Sequence, residues 1–131
     1  MIMAAVLLAV AAVAVGAQSA SPSAVGSPAP TTSKQCYSDP CHGSAKSETI
    51  YERIGDRKSD NIRGYGRNDR LHANTYSKDT DQVYAHGGGT NYLYVNDGDT
   101  LDGAIGGRGY DYCYVDARVE ASNTCDRVRV R

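Results

Sequence analysis

In seven pairs between residues 52 and 113, an acidic or asparagine residue stands two positions before an apolar residue. The intervals between successive pairs vary around a period of roughly nine residues, as expected of a repeat. Such a pair suits a turn that leads into a short strand whose apolar residue points inward. One unit of this size cannot bury its apolar side alone, so the repetition predicts a solenoid of stacked units. The pairs are Glu52/Ile54, Asp60/Ile62, Asp69/Leu71, Asp81/Val83, Asn91/Leu93, Asp99/Leu101 and Asp111/Cys113.

The last unit is the most regular. Residues 106–114 read GGRGYDYCY, which fills every position of the nine-residue pattern G-G-x-G-x-D-x-U-x, where U is apolar. Gly106, Gly107 and Gly109 permit positive φ and can turn carbonyl oxygens inward, and Asp111 adds a carboxylate. The pattern therefore predicts a turn that can hold a hard cation.

Weaker copies precede this unit. Residues 55–63 and 64–72 adjoin in register, and residues 76–84 and 86–94 follow. Turns favour glycine and aspartate, so isolated pairs arise by chance in a chain rich in both, but adjacent copies in register do not. On this pattern, residues 55–114 resemble the RTX, or haemolysin-type, calcium-binding repeats of secreted bacterial proteins.

The resemblance implies an all-β fold, a short right-handed parallel β-roll in which each unit is a half-turn. Successive loops would then fall on alternate edges, with Ca²⁺ between loops of the same edge. Asn91 carries no charge, so the edge without it is the better cation site. The implied ligands are Asp60, Asp81 and Asp99, with Asp79 and Asp97 nearby, on that edge, and Asp69 and Asp111 with Gly106, Gly107 and Gly109 on the other.

Positively charged residues in the loops depart from the family pattern. Arg57, Lys58, Arg67 and Lys78 stand where the family has Gly, Asn or Asp, and the net charge is only −1. A neighbouring cation repels calcium and weakens its binding. The sequence therefore leaves three outcomes open: weak calcium binding, binding at one or two sites, or none.

The start of the chain predicts export. Residues 4–15 form an unbroken apolar run, and small residues follow up to Ala17, so we expect a signal peptide over residues 1–17. The first three residues contain no Lys or Arg, which leaves an uncleaved anchor as the alternative. Residues 18–35 are rich in Pro, Ser and Ala and predict a disordered linker. After cleavage we expect a secreted, extracellular protein with no membrane span.

Residues 36–131 then form one small domain, with repeats over about 50–114 and a C-terminal cap over 115–131. The chain has no Phe or Trp, so its core is thin and requires covalent or metal cross-links. Four cysteines in an exported chain predict two disulfides, and proximity in sequence favours Cys36–Cys41 and Cys113–Cys125. Alternation after Cys125 predicts an end strand with Val128 and Val130 inward. Residues 36–49 are expected to cap the other end.

Five tyrosines occupy positions next to the inward apolar residues, so they are expected to point outward. Stacked along a solenoid, they form either a packing ladder or an aromatic stripe that binds sugars, and strand propensity favours the ladder. The alternative function is therefore a metal-independent extracellular carbohydrate-binding or adhesion module. The tyrosines are Tyr84, Tyr92, Tyr94, Tyr112 and Tyr114.

Other functions find little support in the sequence. It contains no G-x-S-x-G, H-E-x-x-H or P-loop motif, so we expect no enzymatic activity. Cys36, Cys41 and His42 lack a fourth zinc ligand at normal spacing. An EF-hand beginning at Asp97 fails because its twelfth position is Arg108. Acidic and basic residues nearly cancel, which argues against nucleic-acid binding. We therefore expect a non-enzymatic protein in which calcium stabilises the turns, or an accessory fragment of a longer toxin or hydrolase system.

Overall fold

The computed structural model describes residues 32–131. The predicted signal peptide and residues 18–31 of the predicted linker lie outside the described residues. Ten short strands and one 3-10 helix, Arg118–Glu120, make up the regular structure of residues 32–131. The strands are β1 Thr32–Gln35, β2 Cys41–His42, β3 Glu48–Tyr51, β4 Asn61–Arg63, β5 Arg70–His72, β6 Gln82–Tyr84, β7 Thr90–Tyr94, β8 Gly103–Ile105, β9 Tyr110–Val115 and β10 Arg127–Val130.

The strands alternate between two parallel sheets. One sheet has six strands in the order β1-β3-β5-β7-β9-β10, and the other has four in the order β2-β4-β6-β8. Each coil of the chain thus adds one strand to each sheet, and the coils stack as a parallel β-solenoid of about four turns. The predicted all-β solenoid is confirmed.

Two stacks of inward side chains form the core. Strand pairing aligns Ile50, Leu71, Leu93 and Cys113 in the six-stranded sheet, so one coil spans two of the predicted repeat units. The four-stranded sheet has the same kind of stack with a constant interval between its members, and both stacks are buried. The members of the second stack are Cys41, Ile62, Val83 and Ala104.

Two of the predicted inward residues are wrong. Ile54 is 61% exposed and Leu101 is 54% exposed, whereas Ile50 and Ala104 occupy the buried positions. The error has a geometric cause. From β3 onward, the connections that leave the six-stranded sheet are longer than those that enter it, so a uniform nine-residue frame loses register at each long loop.

Both ends of the solenoid differ from the prediction. β1 begins at Thr32, inside the predicted linker, and β1 to β3 are regular strands of the two sheets rather than a separate cap. At the other end β10 pairs with β9, and Val128 lies opposite Cys113 and packs against the core. Val130 is 57% exposed, contrary to the prediction, since no later strand of the described chain covers β10.

Both predicted disulfides are present. Cys36 bonds to Cys41, and Cys113 bonds to Cys125 further along the chain. Cys113 belongs to the buried stack, so its disulfide ties the last complete coil to the C-terminal segment. A loop of this size restricts the unfolded chain and contributes about 3 kcal/mol by the chain-entropy model. A search for membrane-spanning helices among residues 32–131 finds none.

Candidate metal centre

The repeated acidic residue makes hydrogen bonds between coils. In the four-stranded sheet, Asp81 Oδ1 accepts the backbone N–H of Asp60 at 2.6 Å, and Asp102 Oδ1 accepts that of Asp81 at 2.8 Å. Each carboxylate therefore accepts a backbone N–H of the preceding coil. The repeated carboxylate thus pairs a backbone N–H of the neighbouring coil, a structural role that requires no metal.

The six-stranded sheet has a matching row. Asp69 Oδ1 accepts the N–H of Glu48 at 2.9 Å, and Asn91 Oδ1 accepts that of Asp69 at 2.9 Å. The Asn91 amide then donates to Asp111 Oδ1 at 2.9 Å. Asn91 thus works as an acceptor on one side and a donor on the other, and it links its neighbours without adding charge.

We use the name turn edge for the short connections that lead into the six-stranded sheet, residues 43–47, 64–69, 85–89 and 106–109, together with Asn91 and Asp111, which continue the row of Asp69. Here the carboxylates of the inter-coil row are fully hydrogen-bonded. Asp69 Oδ2 accepts the N–H of Gly66 at 3.2 Å, and Asp111 Oδ2 accepts that of Gly107 at 2.8 Å. The residues that match the calcium-binding pattern best therefore already have protein partners for both oxygens.

The glycines of the last turn permit close packing of the coils. A Cβ at Gly106 would lie 2.4 Å from the carbonyl oxygen of Thr124, and one at Gly109 would lie 2.3 Å from that of Gly89. Gly109 also has a φ of +117°. These contacts account for the glycines by steric need. The assignment of Gly106, Gly107, Gly109, Asp69 and Asp111 as metal ligands stays a prediction.

The loop edge comprises the longer connections that leave the six-stranded sheet, residues 52–60, 73–81, 95–102 and 116–120. Its first cluster consists of Glu52, Asp79 and Asp81, with one carboxylate oxygen of each within 4.8 Å of the others. Glu52 is 1% exposed and Asp81 is 0% exposed. Glu52 Oε2, both oxygens of Asp79 and Asp81 Oδ2 are buried without a hydrogen-bond partner.

Glu52 occupies a core position. Its backbone N–H donates to the carbonyl of His72, as the N–H of Ala73 does to Tyr94 one coil later. Glu52 therefore corresponds to Ala73, and in the following coil to Val95. A carboxylate where later coils carry apolar side chains is costly to bury unless it is paired.

The second cluster consists of Asp97, Asp99 and Asp102, which also bring carboxylate oxygens within 4.8 Å of one another. Asp97 Oδ2 and Asp102 Oδ2 are buried without partners. Glu120, in the 3-10 helix, has a further unpartnered oxygen, Oε1, while its Oε2 accepts two backbone N–H groups. Asp99 is bonded to the protein through both oxygens, to the N–H groups of Leu101 and Lys78.

Burial makes these carboxylates hard to ionise. Burial, together with the nearby charges of Asp79, Glu52 and Asp102, raises the pKa of Asp81 to about 8. Burial likewise raises the pKa of Asp102 to about 7, with a contribution from other acidic groups of the loop edge. The pKa values of Glu52, Asp79 and Asp97 are also raised, chiefly by burial. These carboxyl groups therefore keep their protons to higher pH than exposed ones, and ionising them together requires a positive charge nearby.

The basic residues of the loops do not neutralise the clusters. Arg57, Lys58, Arg67 and Lys78 are exposed, and the Arg57 guanidinium lies over the ring of Tyr76 at 5.9 Å. Within residues 32–131, no salt bridge joins a carboxylate of either cluster to a lysine or arginine. The clusters therefore have no protein counter-ion in contact.

The structure separates the predicted ligands. Asp81 lies in the first cluster and Asp99 in the second, while Asp60 stands beside the first and accepts the N–H of Arg53 at 3.0 Å. The remaining predicted ligands of the repeat lie on the turn edge.

Sequence reasoning did not select Glu52, Asp102 or Glu120. Glu52 and Asp102 could have been found by using the full coil as the repeat. The nine-residue unit is only half of that coil. Repeating the interval from Ile62 to Val83 once more would have placed Ala104 inward and Asp102 in the position of the row carboxylate. The same interval from Glu52 leads to the apolar residue Ala73.

The outward aromatic residues form a stacked ladder. His72 lies between Tyr51 and Tyr94, with ring centroids 4.7 Å and 4.3 Å apart, and Tyr94 stacks on Tyr114 at 4.6 Å. The guanidinium of Arg131 lies 5.2 Å from the centroid of the Tyr114 ring. The rings therefore cover one another's faces and present mainly edges and hydroxyl groups outward.

Comparison of the chain with protein-family models, with curated proteins and with solved structures found no match. The resemblance to RTX repeats therefore rests on the sequence pattern alone.

Proposed function

We propose that this protein binds calcium ions at its loop edge and that these ions stabilise the solenoid. The observation that carries the proposal is the set of buried carboxylate oxygens without partners in the first cluster, formed by Glu52, Asp79 and Asp81. An ion there would join adjacent coils, since Glu52 belongs to one coil and the two aspartates to the next.

A bound cation resolves a large electrostatic cost. The effective penalty for burying an unpaired carboxylate is several kcal/mol, and three carboxylates close together also repel one another. Buried charges in proteins are normally paired or coordinate a metal. In the first cluster no protein cation is in contact, so a metal ion is the partner that suits the site.

The donor set favours calcium among common ions. Both clusters offer carboxylate oxygens, and the four cysteines are held in disulfides, which leaves no thiolate for a softer metal. Calcium accepts six to eight oxygens in irregular geometry, whereas magnesium requires near-ideal octahedral geometry and keeps several waters. The disulfides also indicate an oxidising compartment, and extracellular calcium modules bind with dissociation constants of about 0.1 to 1 mM.

Calcium titration of the full chain, chelator-treated with its disulfides intact, tests the proposal. We expect saturable heat in isothermal calorimetry and a rise in the melting temperature. A hundredfold excess of ligand over its dissociation constant stabilises the folded state by about 2.7 kcal/mol. For a folded region of this size, that corresponds to a rise of about 10 °C or more.

Asp81→Asn separates the metal role from the hydrogen bond. The amide oxygen can still accept the N–H of Asp60, while the neutral side chain removes a buried charge. We expect this variant to be at least as stable as the wild type in chelator and to lose most of the calcium-dependent gain at the first cluster. Asp39→Asn, at an exposed carboxylate outside both clusters, is the matched control. Wild-type protein that gives neither heat nor a melting shift with calcium would overturn the proposal.

A further inference from the structure

Charge is distributed unevenly over the solenoid. We use the name outer face for the outward strand positions of the six-stranded sheet. The strand pairing places no Asp or Glu at these positions among residues 32–131, because every acidic residue lies in a coil-to-coil row, a turn or a loop. Arg70, Arg127 and Arg129 do lie on the outer face, and Arg131 follows directly. The near-zero net charge of the chain thus conceals a basic surface.

Aromatic side chains hold several of these arginines in place. The Arg70 guanidinium lies over the ring of Tyr92 at 5.6 Å, and that ring stacks on Tyr112 at 5.0 Å. Arg127 continues the same column and donates from Nε to the hydroxyl of Tyr110 at 2.8 Å. Within the described residues, none of these arginines forms a salt bridge. Their positive charges are positioned and remain available to an external anion.

The ring geometry limits which ligands suit this surface. Sugar stacking on tyrosine needs a free ring face, and so does base stacking by a single-stranded nucleic acid. On the outer face the rings of Tyr92 and Tyr112 lie 4° from parallel, and those of His72 and Tyr94 lie 2° from parallel, so they cover one another. What remains is arginine groups and tyrosine hydroxyls along a regular sheet, which suit anionic groups carried among many hydroxyls.

We propose that the outer face binds an acidic polysaccharide, whose carboxylate or sulfate groups pair with Arg70, Arg127, Arg129 and Arg131. The sequence suggested a carbohydrate-binding module that stacks sugars on tyrosine rings. The outer face would instead bind a carbohydrate through its charged groups. Charge complementarity favours this ligand, since a polyanion meets several positioned arginines and no Asp or Glu side chain on this face. It does not depend on calcium at the loop edge.

The test uses the full chain, disulfides intact, in EDTA, so that calcium cannot bridge the polymer to the acidic loops. Binding to heparin, polygalacturonate and neutral dextran is measured by calorimetry at two salt concentrations. We expect binding to the two acidic polymers, weakening as salt rises, and none to dextran. Replacing Arg127, Arg129 and Arg131 together by Gln should weaken binding about tenfold or more, since each exposed ion pair contributes a few-fold.

The matched control replaces Lys46, Arg67 and Arg108 by Gln. These residues are exposed on the turn edge, and the change in net charge is the same. We expect the control to retain wild-type affinity, and melting curves show whether each variant is folded. Arg70→Gln, outside the end strand, provides an independent variant with a loss of a few-fold. Equal losses in the control, absence of binding to both acidic polymers, or tighter binding to single-stranded DNA would overturn the proposal.

Discussion

The turn edge and the loop edge use the same repeated carboxylate, but they leave it in different states. At the turn edge, Asp111 receives hydrogen bonds on both oxygens, from Asn91 and from Gly107 of its own turn. At the loop edge, Asp81 accepts one backbone N–H on Oδ1, and its Oδ2 remains buried without a partner. The same local motif is thus complete on one edge and short of a partner on the other.

The connections that precede these carboxylates differ in length. A short glycine turn folds back at once, so the N–H of Gly107 reaches the carboxylate of Asp111 within the same turn. Among the row carboxylates of the longer loops only Asp60 receives such a bond, from Arg53, while Asp81 Oδ2 and Asp102 Oδ2 have no partner, and further acids such as Asp79 and Asp97 lie close by. A match to a repeat pattern therefore identifies coil geometry, while unpartnered buried oxygens identify where a cation is needed.

We expect the largest difference in stability between the two edges when a glycine with positive φ is replaced by alanine. At Gly109 a Cβ would lie 2.3 Å from the carbonyl oxygen of Gly89, whereas at Gly98, on the loop edge, nothing lies within 4 Å. Backbone strain costs about 1–2 kcal/mol at either position, and the collision at Gly109 adds about 1–3 kcal/mol. We expect Gly109→Ala to lower the free energy of unfolding by about 3 kcal/mol or more, and Gly98→Ala by half of that or less.

Urea unfolding of both variants at saturating calcium measures these differences. Equal losses would mean that the coils do not pack more tightly at the turn edge.

The sequence predicts the solenoid because its inward residues recur. Ile62, Leu71, Val83 and Leu93 all occupy the positions that the repeat assigns to them. The two disulfides were also predictable, since proximity in sequence selected the observed pairs. The frame failed at Leu101, where a loop is longer than the unit length assumed.

The candidate site was only partly predictable. Asp81 and Asp99 follow from the repeat, but the role of Glu52 depends on its place in a buried column, which requires the coil length. The lack of partners at Asp79 is equally invisible in sequence, because it depends on where the backbone N–H groups of another coil point. Local patterns encode which residues recur, and the partners across coils are set by packing.

The second prediction concerns a substitution that gives the turn edge an unpartnered carboxylate like those of the loop edge. In Asn91→Asp, an oxygen replaces the amide that donates to Asp111 at 2.9 Å, so two buried carboxylates face each other. We expect a loss of about 2 kcal/mol in chelator, the usual cost of leaving a buried polar group unsatisfied. If an unpartnered carboxylate is what creates a cation site, calcium should restore part of this loss.

Thermal melting with and without calcium measures both effects. Asn96→Asp, at a half-buried asparagine on the loop edge, is the matched substitution, and we expect it to cost less. An Asn91→Asp loss that is the same with and without calcium would show that the turn edge does not admit an ion.

The last prediction is a pH dependence of stability that calcium suppresses. Burial raises the pKa of Asp81 to about 8 and that of Asp102 to about 7, far above their unfolded value near 3.8. In chelator these two groups hold their protons more tightly in the folded state than in the unfolded chain, so their contribution to stability is fully present below about pH 4 and is lost as pH rises to about 7 to 8. Calcium requires the ionised carboxylates, so in excess calcium the stability gain should instead grow from pH 5 to pH 8. Urea midpoints should therefore fall from pH 5 to pH 8 in chelator and fall much less in excess calcium, and an equal fall in both would show that no cation replaces the protons on the loop edge.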